Sequence, residues 1–216
     1  MKKLSLVLCI MIIISCAGCG SSDSTIMSDT QSGAELEITE EITSETVVTE
    51  AAASEDTASE SNSKYNAFIN EYTSFEVTST NLNNGVWDDI ISFTGSNKSP
   101  QLEWDAVDGT DHYVVIMDDL EAWDIIHWKS DNVTETSHTE GWAPSTDYVG
   151  PNPPSGSTHT YEIYVIALKA PVERVKGALG GQNPKFEENF KALDIDADGN
   201  SGNIIAVGRL SGTCSN

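Results

Sequence analysis

The sequence predicts a mainly β domain, a two-sheet β-sandwich with a few short peripheral helices, and three observations predict it. All five Trp, all six Tyr and all five Phe of the 216-residue chain lie after residue 63, so only that stretch can bury a core. It is built of short runs rich in β-branched and aromatic residues. Between the runs stand turn sequences: Asn83-Asn84-Gly85, Asp108-Gly109 and Pro153-Pro154-Ser155-Gly156. Taken in order, Phe75 to Ser79 alternates apolar and polar residues as a half-buried strand does. His112 to Met117 is a continuous apolar run, as expected of a strand covered on both faces. Asp124 to Lys129, His159 to Leu168 and Asn203 to Leu210 are further strands. Two helices are expected near the end. Pro171 opens one that closes at Gly180-Gly181, and Asn183-Pro184 caps another with Phe186, Phe190 and Leu193 on one face.

Charge divides the chain differently. Acids outnumber bases 34 to 11, a formal charge of -23, which excludes the basic footprint of a nucleic-acid binder. Residues 1–19 carry two lysines and no acid, with an apolar run from Leu4 to Ile14 broken only by Ser5. That run is short of the roughly 20 residues that span a bilayer and reads as an export signal. It ends in Cys16-Ala17-Gly18-Cys19-Gly20, which resembles a bacterial lipobox. Cys19 is the expected lipidation site, with Cys16 the second candidate and an ordinary signal peptide the plain alternative. The expected location is extracytoplasmic, lipid-anchored to the bacterial cell membrane. Residues 20–63 carry 11 acids, no Lys or Arg and no aromatic residue. They read as a disordered Ser/Thr/Glu-rich tether, and an acidic amphipathic helix is the alternative. The domain is then 64–216. Its single cysteine, Cys214, allows no disulfide within it.

Period two along His159 to Ala167 puts His159 and Tyr161 on the face of Ile163, Val165 and Ala167. Two hydrogen-bonding rings then stand at the mouth of an apolar face. Asp118 and Asp119 end the strand before, His127 sits among bulky apolar neighbours, and Tyr148 to Pro154 forms a rigid Gly/Pro loop. A lone His in an apolar strand is more often a core residue, and an Asp pair at a strand end is usually turn chemistry. Together the set reads as a small pocket for an oxyanion, with imidazoles that change charge near neutral pH.

The ordered motifs of this stretch resemble the phosphatidylethanolamine-binding protein family, in its bacterial Raf-kinase-inhibitor-like branch. They are Ser99-Pro100-Gln101-Leu102-Glu103-Trp104, Asp118 to Trp123 followed by His127-Trp128, Tyr148 to Gly156, His159-Thr160-Tyr161 and Gly208 to Thr213. The resemblance implies a two-sheet sandwich with an anion pocket lined by Asp119, His127, Gly150, His159 and Tyr161. Imidazolium, phenol and the backbone N–H of the Gly150 loop would hold the anion, and Asp119 would orient a histidine. The chain departs from the pattern at several points. Leu120 and Trp123 replace two prolines, Glu121 replaces an Asp, Thr160 replaces an Arg and Cys214 replaces an aromatic residue. The first changes loosen a pocket wall, and loss of the Arg removes a cation beside it.

The expected function is thus a membrane-anchored lipoprotein that binds a small anionic or phosphate-bearing ligand or a phospholipid headgroup. A hydrolase using the Asp/His pocket is one competing reading. A structural or carbohydrate-binding sandwich without anion binding is the other. Gly-x-Ser-x-Gly and His-Glu-x-x-His are absent, and residues 64–216 hold no Cys-x-x-Cys, so no catalytic residue is assigned. Asp194, Asp196 and Asp198 have the spacing of a calcium loop. Ile205 stands where an EF-hand needs its last acid, which leaves a Ca²⁺ held by three carboxylates as the candidate and a solvated loop as the alternative.

Overall fold

The structure, a computed structural model, describes residues 63–216. The expected signal, Cys19 and residues 20–62 of the tether lie outside the described residues, and Ser63, the last residue of the expected tether, is buried. Helix α1 (Asn66–Ile69) leads into β1 (Thr73–Phe75), β2 (Val77–Thr78), β3 (Leu82–Asn83), β4 (Val86–Trp87) and β5 (Leu102–Trp104). The long strands follow: β6 (His112–Asp119), β7 (Ile125–Val133), the two-residue β8 (Ser137–His138) and β9 (Thr158–Leu168). Helix α2 (Phe186–Lys191) precedes the last strand, β10 (Ile204–Ser215). Seven strands form one sheet in the order β3-β4-β10-β9-β6-β7, with β1 paired to β10; β2, β5 and β8 form the second. The fold is the mainly β architecture that the sequence predicts.

The long strands are buried on both faces, and period two sorts their side chains into two cores. Tyr113, Val115 and Met117 of β6 join Tyr161, Ile163, Val165 and Ala167 of β9 in one core, together with Leu102 and Trp104 of the small sheet. Val114 and Ile116 join Tyr164, Ile166 and Leu168 on the opposite face, under Phe68 of α1 and Phe186 and Phe190 of α2. Trp128 and Trp104 are buried, whereas Trp123 is 71% exposed. Truncating a residue such as Trp128 to Ala would cost about 3–5 kcal/mol, a large share of a domain's stability.

Two expectations need correction. The alternating run from Phe75 to Ser79 is not one strand. The chain leaves the large sheet at Phe75 and enters the small one at Val77, so β1 pairs with β10 and β2 with β5. No helix forms between Pro171 and Gly180. Its carbonyls are taken by other partners: the Lys129 ammonium donates to Val175 O at 3.2 Å and to Gly177 O at 2.7 Å. Gly177 has φ +100°, and a Cβ there would meet Ile126 Cδ1 at 2.4 Å, so the segment lies flat against β7. The second expected helix forms as α2. Asn183 stays outside it, accepting from Phe186 N through its carbonyl at 2.9 Å and from Asn189 Nδ2 through its side chain at 2.6 Å.

The Asp-rich loop before β10 uses its carboxylates locally. Asp194 accepts from Gly202 N at 3.1 Å and Ile204 N at 2.9 Å, and Asp196 accepts from Asp198 N at 3.0 Å and Asn200 N at 2.8 Å. These bonds to backbone N–H hold Asp196 below the usual carboxylate range.

Candidate functional site

Antiparallel pairing of β6 with β9 sets Asp119 opposite Tyr161 and Asp118 opposite Glu162. Pairing of β9 with β10 sets His159 opposite Cys214. Alternation then sends Asp119, His159 and Tyr161 to the face between the sheets and Asp118 and Glu162 to the helix-covered face.

On the first face Asp119, only 3% exposed, is the hub. Its carboxylate accepts from the His159 ring at 2.9 and 3.1 Å. It also accepts from Glu121 N and Ala122 N, both at 3.0 Å. His127, from β7, is buried, and its Nδ1 lies 2.8 Å from Val149 O and 3.2 Å from Gly150 O. Two carbonyls can only accept, so Nδ1 is the protonated nitrogen. Both imidazoles thus commit Nδ1–H to the protein and keep Nε2 for another partner. Burial pushes His127 below the usual imidazole range, against the hydrogen bonds that favour its charged form. It is therefore neutral at neutral pH, and its Nε2 is then an acceptor.

The Tyr161 ring joins the two histidines. It meets His127 edge-on at 5.1 Å and stacks beside His159 at 6.4 Å, centroid to centroid. Its hydroxyl is buried without a hydrogen bond of good geometry. Burial, then the Asp119 charge, raises its pKa, so it stays a neutral phenol able to donate. The structure thus brings Asp119, His127, His159 and Tyr161 together as the sequence suggests.

Gly150 is adjacent but plays a different part from the one expected. Its N–H donates to Asn97 Oδ1 at 2.6 Å and is not free for a ligand. A Cβ at Gly150 would meet Ile91 O at 2.2 Å and Phe93 N at 2.6 Å, so only glycine lets this loop press against residues 91–93. Its carbonyl then reaches His127. Sequence reasoning missed Asn97 and Glu121. Glu121 Oε2 accepts from Thr160 N at 2.7 Å and ties the wall of the site to β9. Its position two residues after Asp119 was the available signal.

Asp119, Glu121 and His159 place ligating atoms within 4.8 Å of one another, the one such group among the described residues. Each already has a protein partner: Asp119 and His159 bond each other, and Glu121 holds Thr160 N. This geometry makes them first a hydrogen-bond network. The trio adds two carboxylates, and among the described residues no Lys or Arg pairs with Asp119, Glu121 or His159.

The model described as "Phosphatidylethanolamine-binding protein" matches residues 62–213. No curated protein matches the chain. Among solved structures, the phosphatidylethanolamine-binding protein homologue CT736 of Chlamydia trachomatis is 24% identical, with a TM-score of 0.50. The match covers 67% of this chain and 99% of that one. YbcL of E. coli, described as a member of the mammalian family, is 21% identical with a TM-score of 0.49, covering 66% and 98% of the two chains. The first likeness shows the fold.

Proposed function

The chain belongs to the phosphatidylethanolamine-binding protein family, and from that premise we propose that its domain binds a small anion, a phosphate or phosphate-bearing headgroup, at the Asp119–His159 site. One observation carries the reading: both imidazoles spend Nδ1–H on protein acceptors beside a buried phenol that makes no hydrogen bond of good geometry. Protonation at Nε2 then turns each ring into a charge-assisted donor, and the Tyr161 hydroxyl adds a neutral one. Asp119 orients His159 and sits behind it. Thr160 supplies no cation where an Arg is expected, so binding depends on imidazolium.

The pH dependence follows from His127. Its lowered pKa means that it gains charge only below the usual imidazole range, so affinity keeps rising as pH falls through and beyond that range. Calorimetry with phosphate and phosphorylethanolamine from pH 8 to pH 5 tests this. Affinity that climbs toward the acidic end supports the reading; no binding at pH 5 rejects it. A preference for phosphorylethanolamine over phosphate would identify a headgroup ligand.

The same proposal includes lipid anchoring through Cys19, supported by Ala17 and Gly18 before it and the short apolar run ahead. Cys19→Ala is expected to move the protein from the membrane fraction to the soluble fraction. Unchanged retention with Cys16 intact would discard this site.

A further inference from the structure

The loop from Asp119 to Asp124 is the wall of the site, and it is gripped from two sides. On the site's side, β9 holds it: Leu120 N donates to Thr160 O at 3.0 Å, and Glu121 Oε2 accepts from Thr160 N. On the other side, the Lys64 ammonium meets Asp124 Oδ1 at 2.5 Å and Leu120 O at 3.2 Å. The loop needs such a grip. Trp123 and Asp124 stand consecutively at φ 58° and 56°, the left-handed region, which Asp tolerates but Trp disfavours. Leu120 and Trp123 fill the places where prolines would fix φ. Asn183 N–H, shared between Trp123 O at 3.2 Å and Asp124 O at 3.0 Å, holds the loop's end but leaves Leu120 untouched.

Lys64 itself stands on an anchored segment. The Tyr65 ring stacks on Phe186 at 4.6 Å, Asn66 Oδ1 accepts from Arg209 at 2.8 Å, and Phe68 and Ile69 are buried. Asp124 is largely buried, so the pair is better shielded than a surface one, although Lys64 is half exposed.

We propose that Lys64 is a positioning residue for the anion site: its ammonium clasps the Asp119–Asp124 loop from behind and holds the Glu121 and Ala122 N–H groups on the Asp119 carboxylate.

The ligand-binding arm of the test rests on the proposed anion site; the exchange arm does not. In ligand-free protein, Lys64→Met is expected to speed amide hydrogen exchange of Glu121 and Ala122 about tenfold, the scale for a buried carboxylate losing its donor. Amides of β9 beyond Thr160 and of β10 keep wild-type rates, and Lys64→Arg restores protection. Phosphate affinity at pH 5 is expected to fall by a similar factor in Lys64→Met and to recover in Lys64→Arg. Wild-type exchange at Glu121 and Ala122 in Lys64→Met would overturn the clasp. So would a uniform rise across β9 and β10, which would mean global destabilisation alone. If wild-type protein binds no phosphate, the anion reading fails while the exchange rates still decide the clasp.

Discussion

Asp118 and Asp119 are neighbours in sequence and are both buried, yet the two faces of the sheet treat them in opposite ways. Asp119 meets a ring N–H and two backbone N–H groups. Asp118 makes no hydrogen bond of good geometry. Burial, then the charge of Asp124, pushes its pKa well above the carboxylate range and so favours the neutral acid. Glu162, beside it, is wholly buried and keeps company with Arg209, whose Nε donates to Oε1 at 2.5 Å. The difference teaches that burial alone does not decide what an acid does. The face between the sheets supplies donors to its acid, whereas the helix-covered face pairs Glu162 with Arg209 and leaves Asp118 without a good donor.

If the proposed function holds, substituting the acids of the second face changes stability and substituting the site residues of the first changes binding, a division that variants can break. The largest effect is expected for Glu162→Ala, which strands the Arg209 guanidinium. It should lower unfolding free energy by about 3–5 kcal/mol, read from urea midpoints. A weaker phosphate affinity in the folded variant without that loss would break the division. Next comes His159→Ala, expected to cost about 1.5–3 kcal/mol of phosphate binding at pH 5 by calorimetry while the melting temperature falls less than in Glu162→Ala.

Asp118→Asn sharpens the contrast by its sign. An acid whose folded pKa is raised contributes full stability below the unfolded pKa and loses it as pH rises through the folded value. The Asn variant escapes that loss. Its melting temperature should exceed that of wild type at pH 7, and the gap should close below pH ~4. A gap that does not change with pH would remove ionisation of Asp118 as its cause. The smallest effect is expected away from both faces. Asp194→Ala removes two bonds to backbone N–H in the loop before β10 and should cost about 1 kcal/mol in chemical denaturation.

What could be read in the sequence was what a regular strand fixes. β9 runs unbroken for 11 residues in the middle of the sheet, so counting by twos correctly placed His159 and Tyr161 with Ile163, Val165 and Ala167. The same counting put Glu162 on the opposite face but gave no reason for its burial, because its partner Arg209 lies 47 residues later. Gly150 was legible as a loop residue beside the site. That its N–H is spent on Asn97 depends on a contact 53 residues back in the chain. The helix expected after Pro171 failed because Lys129 competes for its carbonyls and Gly177 must approach Ile126, neither of which local propensity records. The break between β1 and β2 was hidden for a related reason: an alternating run looks alike whether it serves one sheet or two.

Cys214 turns the closed end of β10 into a clock. It is buried across from His159, and burial followed by the nearby Asp119 charge raises its thiol pKa to about 12. The thiolate that reacts with disulfide reagents is therefore scarce in the folded domain and shielded besides. It is also the only cysteine after residue 19. Chemical labelling of the domain then proceeds through openings that expose the thiol, and its rate reports them. A ligand held by His159 would slow that count in proportion to its occupancy, so a single native thiol reports binding through time rather than heat.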